Sequence, residues 1–252
     1  MTTASTPSSP GPGPGAAANP DPPESHHRDI QGGAARAAVL GVSDGLVTNV
    51  SLILGVAGAN TTPGTVRLAG LAGLLAGAFS MAAGEYVSMK AQTELLEREL
   101  EMERLELRRA PEAERAELAQ LYASRGVNPD VAGELAGEMM RTPELALETH
   151  AREELGVDPA SLGNPYQAAG ASAASFAVGA LVPLMPWFFA TGAAAVMVSL
   201  VLGAIAAVLI GIALSRYTGR PWVHSATRQL FVTVAAAFVT YGLGALVGTR
   251  LG

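Results

Sequence analysis

The sequence predicts an all-α, polytopic membrane protein with five transmembrane helices and a helical domain inserted between the second and third helices. Three observations lead to this fold class. The 252-residue chain is 49% hydrophobic and only 15% charged, with a mean hydropathy of +0.30, more apolar than an ordinary soluble domain. Five apolar stretches are long enough to cross a bilayer, which takes about 20 helical residues. Acidic residues concentrate in one segment, because Lys90 to Asp158 holds 17 Asp or Glu and 9 Lys or Arg.

The chain divides into four predicted regions. Residues 1–28 are rich in Pro, Gly and Ser and lack an apolar run, so we expect a disordered tail and not a signal peptide. Residues 29–90 hold transmembrane helices 1 and 2, residues 91–165 the acidic domain, and residues 166–252 transmembrane helices 3 to 5. The predicted spans are 36–58, 67–89, 167–189, 191–214 and 228–250. The third and fourth form a hairpin, since only the short segment MPWFFAT separates them.

Basic residues predict the orientation of the chain in the membrane, because cytoplasmic loops carry more Lys and Arg than external ones. They cluster before the first span, after the second, and between the fourth and fifth: Arg28, Arg36, Lys90, Arg216, Arg220 and Arg228. We therefore expect the N-terminus and residues 91–165 in the cytosol and the C-terminus outside. The Ala-, Gly- and Arg-rich composition is typical of a bacterial protein, which predicts the plasma (inner) membrane of a bacterium.

The acidic domain is predicted to consist of helices with identifiable ends. The helical pattern of the second span continues through KAQTELLERELEMERLELRRA until Pro111 stops it. A second helix is expected from about Glu112 to Ser124. Asn128-Pro129 and Thr142-Pro143 each supply an N-cap followed by proline at the first helical position. Four such helices indicate a small domain and not a linker.

Glutamates in this domain fall on shared helix faces. Glu99, Glu103 and Glu106 are spaced i, i+4, i+7, and Glu114 and Glu117 are spaced i, i+3. Two antiparallel helices joined at Pro111 would set these groups opposite one another. Their carboxylate oxygens could then converge on one divalent cation, which prefers such ligands. The candidate metal ligands of the domain are Glu103, Glu106, Glu114, Glu117, His150, Glu153 and Glu154. The alternative is a solvated, charged helix face with local ion pairs such as Glu94–Arg98.

Two carboxylates lie inside the first two spans. A carboxylate in hydrocarbon costs about 2.5–3.5 kcal/mol at mid-span on insertion scales and usually serves ion or proton movement. Asp44 and Met81 each lie about 8 residues from the cytoplasmic end of their span, roughly 12 Å deep. Glu85 follows Met81 by one turn. A thioether beside carboxylates favours a transition metal such as Fe(II). This predicts a transport pathway through Asp44, Met81 and Glu85, with Asp44 and Met81 as metal ligands.

Each of these features also has a purely structural interpretation. The alternative for Met81 is a side chain that only fills the core, as methionine does in many proteins, and the alternative for Glu85 is a side chain that only reaches toward the headgroups. Glycine pairs at positions 41/45, 73/77 and 244/248 predict close helix contacts, either within one chain or between two copies. The chain has no cysteine, which excludes disulfides and thiolate metal sites. An acidic domain joined to an apolar one favours cations over nucleic acid as partners.

Three motifs together resemble the vacuolar iron transporter family. They are GVSDGLVTNVSLILGVAGA, GAFSMAAGEYVSMKAQ and APEAERAELAQLYASRGVNPD, and the resemblance extends over nearly all of residues 29–252. It implies homodimers of five-helix protomers that export Fe(II), and often Mn(II), from the cytosol in exchange for protons. It implies metal binding by Asp44, Met81, Glu103, Glu106, Glu114, Glu117 and Glu154, with Glu153 as an adjacent candidate.

The chain departs from the family pattern at two places. Eukaryotic members have two methionines before the late glutamate, where this chain has His150 and Ala151, so the ligand set there is expected to be richer in nitrogen. A glutamate that some members have early in the second span falls near Gly73 here, whereas this chain offers Glu85. The proton path is therefore expected to differ.

The resulting expectation is a secondary-active exporter of Fe(II) and Mn(II), with Co(II) and Zn(II) as further candidate ions and no cofactor. Its expected partners are protons, membrane lipid and a second copy of the chain. One alternative is a membrane-anchored ferroxidase with a di-iron centre, which usually needs two Glu-x-x-His motifs. His150 is the only histidine of the domain, and Leu147 stands three residues before it. The other alternative is a metal sensor or storage protein without transport.

Overall fold

The computed structural model describes residues 33–159 and 163–251. The predicted disordered tail, residues 1–28, lies outside this part of the chain. Within the described residues the secondary structure is helical, with eight α-helices and no strand. The helices are α1 (Gly33–Gly58), α2 (Pro63–Arg109), α3 (Pro111–Ser124), α4 (Pro129–Met139), α5 (Pro143–Glu153), α6 (Pro165–Leu184), α7 (Gly192–Thr218) and α8 (Trp222–Leu251).

Five of these helices, α1, α2, α6, α7 and α8, are long and apolar enough to span a membrane, which confirms the predicted all-α class with five spans. The segment between α2 and α6 holds the three shorter helices, α3 to α5. A single 3₁₀ turn, Met185–Phe188, joins α6 to α7 and makes the predicted hairpin. Helix α8 starts at Trp222, six residues before the predicted span, because the helical backbone continues past the apolar stretch into the polar flank.

Helix α2 is much longer than a bilayer requires. Its 47 residues extend roughly 70 Å at 1.5 Å per residue, whereas the hydrocarbon core is about 30 Å thick. The helix starts at Pro63, where the Thr62 hydroxyl accepts a hydrogen bond from the Thr65 N–H at 3.3 Å, and ends at Arg109, just before Pro111. From Lys90 onward the helix is densely charged, and charged side chains are costly in hydrocarbon.

Helix α1 packs against α6 and α8 through glycines. A Cβ atom on Gly45 would overlap the backbone of Phe176 in α6, and one on Gly244 in α8 would overlap the backbone of Gly55. Backbones therefore touch at these points, as small residues at helix contacts allow. The predicted glycine contacts of α1 and α8 are thus made within one chain.

Apolar and polar contacts complete the membrane part of the fold. Ile53, Leu74, Phe176 and Leu184 belong to one buried cluster between α1, α2 and α6. The buried Asn49 side chain donates a hydrogen bond to the Ala180 carbonyl at 2.6 Å.

A second polar contact links α8 to α1. Gln229 Nε2 donates to Ser43 Oγ at 2.8 Å. This contact places the start of α8 at the same level as the start of α1.

The helices of the inserted segment begin as the sequence predicts. The Asn128 side chain accepts a hydrogen bond from Asp130 N, and the Thr142 hydroxyl accepts one from Leu145 N. Leu118 of α3, Ala136 of α4 and Ala146 of α5 are buried, so each short helix contributes to a small apolar core.

The glycine contact between α1 and α6 generates a stability prediction. We expect Gly45→Ala to lower the midpoint of thermal unfolding of the detergent-solubilised protein, because the added methyl group overlaps the Phe176 backbone. Overpacking of this kind costs about 1–3 kcal/mol. Gly170→Ala on α6 is the control, since nothing lies within 4 Å of its Cβ position, and we expect no loss of stability. Equal midpoints for the two variants would contradict the packing described above.

Candidate metal site

The candidate site is centred on His150, a fully buried side chain of α5. Its Nδ1 atom lies 3.0 Å from Glu103 Oε1 of α2 and 2.9 Å from Oε1 of Glu154, one turn further along the chain. Glu114 Oε2 of α3 is 3.9 Å away. Three separate helices therefore deliver one imidazole and three carboxylates to the same place.

The chain turn at Ala110 brings two of these carboxylates together. Helix α2 ends at Arg109 and α3 starts at Pro111, so the chain reverses within a few residues. Glu103 lies in the last two turns of α2, and Glu114 lies in the first turn of α3. Helix α5 then closes the site with His150 near its C-terminal end. The predicted opposition of α2 and α3 glutamates is thus present at Glu103 and Glu114.

The buried polar atoms of this cluster have no hydrogen-bond partner in the part of the chain that the structure describes. This holds for both ring nitrogens of His150 and for Glu103 Oε1. The 2.9 and 3.0 Å separations therefore bring polar atoms close without the directions that a hydrogen bond needs. Buried polar groups left in this state are costly, so the cluster needs something further to satisfy it.

A divalent cation meets that need geometrically. Ligand atoms of Glu103, Glu114 and His150 all lie within 4.8 Å of one another. Nitrogen and oxygen ligands stand about 2.0–2.2 Å from a transition-metal ion. Adjacent ligands in an octahedral shell are then about 3.0 Å apart, which is the spacing between His150 Nδ1 and its two nearest carboxylate oxygens. The donor set of imidazole and carboxylates suits Fe(II), Mn(II), Co(II) or Zn(II) better than Mg²⁺ or Ca²⁺.

The electrostatics of the cluster also favour a cation. Burial raises the pKa of Glu103 to about 7, and the neighbouring carboxylates of Glu154, Glu114, Glu106 and Glu117 add to this increase. Burial likewise raises the pKa of Glu114, with a further contribution from Glu117. Negative charge is therefore crowded around Glu103 beyond what the protein alone neutralises. Glu106 and Glu117 are exposed and act on the buried pair from the rim.

Glu153 and Glu154, the two adjacent candidates at the end of α5, contact different partners. Glu154 contacts His150. Glu153 forms an ion pair with Arg125, whose Nη2 also donates to the Glu153 carbonyl at 3.0 Å. The structure thus brings Glu154 into the cluster and ties Glu153 to the end of α3. Sequence reasoning left this choice open and did not identify the Arg125 contact.

The intramembrane candidates lie in different surroundings. Asp44 is exposed on α1, and its Oδ1 accepts a hydrogen bond from the Thr48 hydroxyl at 3.1 Å. Met81 is partly buried and packs against the cluster that contains Ile53 and Phe176. Glu85, one turn further along α2, is half-buried. In this structure Met81 therefore has a packing role, and Asp44 is exposed on the outer face of α1.

One polar residue near Asp44 was missed by sequence reasoning. Gln229 of α8 is buried and donates to Ser43, the residue before Asp44. An amide side chain near the start of a strongly apolar helix was the available signal, since buried polar groups in a membrane usually find polar partners. The contact links α8 to α1 at the residue that precedes Asp44.

Comparison with known proteins agrees with these features. The sequence profile of the VIT family matches residues 35–245. This chain belongs to the VIT family. Vacuolar iron transporter 1 of Oryza sativa subsp. japonica is 32% identical over 229 residues, which are 90% of each chain. The vacuolar iron transporter of Acanthamoeba castellanii is 36% identical over 230 residues, covering 88% of this chain and 83% of the relative. The match confirms the resemblance that the three sequence motifs indicated.

The adjacent glutamates of this VIT-family chain offer a matched pair of variants. We expect Glu154→Gln to weaken binding of Fe(II), measured anaerobically by calorimetry on the full-length protein, because Glu154 lies 2.9 Å from His150. The expected loss of affinity is about tenfold or more, because mutation of a residue that only supports a metal ligand already costs about that much. Glu153→Gln should leave the affinity unchanged and cost less than about 1 kcal/mol of stability through its surface ion pair. Equal affinities for the two variants would show that Glu154 is not a ligand.

The raised pKa of Glu103 predicts a dependence on pH. The ordinary pKa of a glutamate is 4.5, and the pKa of Glu103 in the folded protein is about 7. At pH values between these two, Glu103 holds a proton in the folded metal-free protein that it has released in the unfolded chain. Its stability therefore falls as pH rises through this window. An ion must displace that proton below pH 7, so apparent affinity should rise with pH up to about 7.

The measurement for this prediction is the thermal midpoint with and without Mn(II) at pH 5.5 and pH 8. We expect the increase caused by the ion to be larger at pH 8. Glu103→Gln should reduce the pH dependence of the metal-free midpoint. An ion-induced increase that is the same at both pH values in the unmodified chain would contradict the raised pKa.

Proposed function

We propose that this chain exports Fe(II), and also Mn(II), from the cytosol across a membrane in exchange for protons. The observation that carries the proposal is the cluster of Glu103, Glu114 and Glu154 around the buried His150, with Glu103 on the extension of the apolar helix α2. Relatives that align over most of their length are named vacuolar iron transporters, which supports iron as the cargo. The protein is on this proposal a secondary-active transporter and not an enzyme.

The cluster would serve as the capture site. Its carboxylates attract a hydrated cation, and the exposed Glu106 and Glu117 extend the negative field to the rim. The Glu154 side chain is 22% exposed, so one side of the cluster is open for the ion to exchange with solvent. Accessible ligands of this kind fit a cargo that binds and leaves better than a permanently enclosed structural ion.

Helix α2 connects the capture site to the membrane. Glu103 follows Glu85 by 18 residues, which is five full turns of a regular α-helix and about 27 Å along its axis. The two carboxylates therefore project from the same face of α2. Met81 precedes Glu85 by one turn on that face. We propose that the ion passes along this face toward the membrane.

Within the membrane we propose that Asp44 and Met81 bind the ion and that Asp44 or Glu85 exchanges it for a proton. Asp44 is exposed on α1, and a carboxylate facing lipid is costly. A second copy of the chain that covers this face would shield Asp44 and place two such carboxylates around one pathway. The homodimer is therefore part of the proposal and rests on the outward position of Asp44.

The orientation and the location of the protein complete the proposal. The basic end of α7, the basic start of α8 and the inserted segment would lie on the same membrane face, because α6 and α7 form a hairpin. The positive-inside rule assigns this face to the cytosol. The bacterial plasma membrane stays a prediction from composition, while the relatives named vacuolar come from plants and an amoeba.

The alternative is a membrane-anchored metal sensor or storage protein without transport, or a ferroxidase. The same buried cluster would serve it, since binding there needs no pathway. A ferritin-like di-iron centre usually needs two Glu-x-x-His motifs, and residues 90–158 contain one histidine. Only a measurement of flux separates the transporter from a sensor or a store.

Flux into liposomes tests the proposal. The protein is reconstituted into liposomes that enclose a metal-quenched dye, and it should move Fe(II) inward when the interior is acidic. Asp44→Asn should abolish this flux. The variant should still fold, and its inserted segment should still bind the ion. Thr48→Val is the control, because it removes the hydrogen bond to Asp44 but keeps the carboxylate, and flux should persist. Unchanged flux through Asp44→Asn would reject the intramembrane assignment. Binding without flux in the unmodified protein would favour the sensor or storage role.

A further inference from the structure

Arg125, the residue that caps the end of α3, contacts the end of α5 at two atoms of Glu153. Its Nη2 donates a hydrogen bond to the Glu153 carbonyl oxygen at 3.0 Å, and its Nη1 forms an ion pair with the Glu153 carboxylate. A planar guanidinium can make both contacts at once. Glu153 directly precedes Glu154, which contacts His150 in the candidate metal site. One arginine therefore joins the end of α3 to the peptide that carries a candidate ligand.

The peptide unit between Glu153 and Glu154 is held at both of its polar groups. Its carbonyl, that of Glu153, accepts the hydrogen bond from Arg125. Its N–H, that of Glu154, donates to the His150 carbonyl at 2.8 Å. Because a peptide unit is planar, the two hydrogen bonds fix its orientation and the position of the Glu154 Cα atom. The direction of the Glu154 carboxylate then depends only on rotations about the bonds of Glu154 itself.

Glu154 lies at the end of a short helix. Helix α5 has 11 residues, a length at which an isolated helix is only marginally stable, and its last carbonyls have no partner within the helix. The helix ends at Glu153, and Gly156 follows with a left-handed backbone, φ +67°. Helix ends fray, so Glu154 occupies a position that its own helix constrains weakly. The contact from Arg125 acts at this position.

Helix α3 supplies both the arginine and a carboxylate of the cluster. Glu114 lies in its first turn, and Arg125 follows its last residue. The 11 residues between them are about three helical turns, so both side chains project from one face. Leu118, which lies between them on that face, is fully buried. Glu114 approaches His150 to 3.9 Å, so one helix sets both this carboxylate and the backbone before Glu154.

We propose that Arg125 is a positioning residue of the candidate metal site and that it acts through Glu154. By holding the peptide before Glu154, it keeps that carboxylate directed at His150 Nδ1, 2.9 Å away. The inference rests on the metal capture proposed above and extends it to a residue outside the cluster. Mutation of a residue that supports a metal ligand typically lowers metal affinity about 10- to 100-fold.

The alternative for Arg125 is a surface ion pair that only stabilises the fold. Its side chain is 51% exposed and that of Glu153 is 29% exposed, and exposed ion pairs contribute little to stability. The hydrogen bond to the main-chain carbonyl is the feature that favours positioning, because it acts on the backbone of the next residue. It also remains when the Glu153 carboxylate is removed.

A double-mutant cycle tests the inference, with Mn(II) affinity measured by calorimetry on the full-length protein. Arg125→Met keeps a long, unbranched side chain but removes both contacts with Glu153, and we expect about tenfold weaker binding. Residues that act as a unit are not additive. Arg125→Met combined with Glu154→Gln should therefore bind Mn(II) no more weakly than Glu154→Gln alone.

A matched control and a spectrum separate positioning from a general loss of stability. Arg141→Met removes the same charge from the inserted segment, but Arg141 pairs only with the exposed Glu138 three residues before it, so the affinity should not change. Bound Co(II) reports its ligand geometry through its absorption spectrum. The Co(II) spectrum of Arg125→Met should shift toward that of Glu154→Gln, and that of Arg141→Met should equal the spectrum of the unmodified chain.

Two results would overturn the role of Arg125 while leaving the capture site intact. One is equal Mn(II) affinity of Arg125→Met and Arg141→Met. The other is a double variant whose loss of affinity is the product of the two single losses, since Arg125 would then act independently of Glu154. If Arg125→Met yields no folded protein, Arg125→Lys takes its place, because an ammonium group keeps the ion pair but lacks the guanidinium fork.

Failure of the capture site itself gives a different result. An unmodified chain that binds no Mn(II) would reject the metal site and the role of Arg125 together. Binding is measured without flux, so the absence of transport in liposomes would leave the positioning role standing.

Discussion

The uninterrupted backbone of α2 is the constraint that connects the intramembrane candidates Met81 and Glu85 with Glu103 of the candidate metal site. Hydrogen bonds run along 47 residues from Pro63 to Arg109, and neither a proline nor a bulge divides the apolar half from the acidic half. Glu85 and Glu103 are consequently held at a set distance and on one face. A break near Lys90 would remove this fixed relation between the candidate metal site and the apolar helices.

The second constraint is the electrostatic repulsion among the carboxylates of the candidate metal site. Glu103, Glu114 and Glu154 surround a buried imidazole whose nitrogens have no hydrogen-bond partner among the described residues. Repulsion and desolvation oppose the assembly of these groups, and a proton on Glu103 relieves part of the repulsion. On the proposed function a divalent cation would relieve more of it, because it would attract all the carboxylates and give each donor atom a ligand bond. Binding of the ion would then be coupled to release of the proton.

Helix α1 has one face packed against α6 and α8 and another face that is exposed. Glycines at 41, 45 and 55 let α6 and α8 approach its backbone, and Asn49 and Ser43 make hydrogen bonds to the same two helices. The remaining face carries Asp44 outward. Packing that is this close on one side keeps the carboxylate from turning inward, so it remains available to whatever covers the outer face.

Sequence alone determined the features that depend on local chemistry and periodicity. The five spans, the stop at Pro111, and the Asn128 and Thr142 caps follow from hydropathy and from backbone preferences within a few residues. The grouping of Glu103 with Glu114 followed as well, since a short turn between two helices leaves few arrangements. The motifs around Asp44 and Met81 were sufficient to identify the family.

Tertiary structure decided which of several equivalent side chains meet. Glu153 and Glu154 are chemically identical neighbours, and only the position of Arg125, 28 residues earlier, assigns one to an ion pair and the other to His150. The outward position of Asp44 depends on which faces of α1 the other helices occupy. Periodicity specifies the face of a helix on which a residue lies, but the residues opposite that face are set by packing between segments distant in the chain.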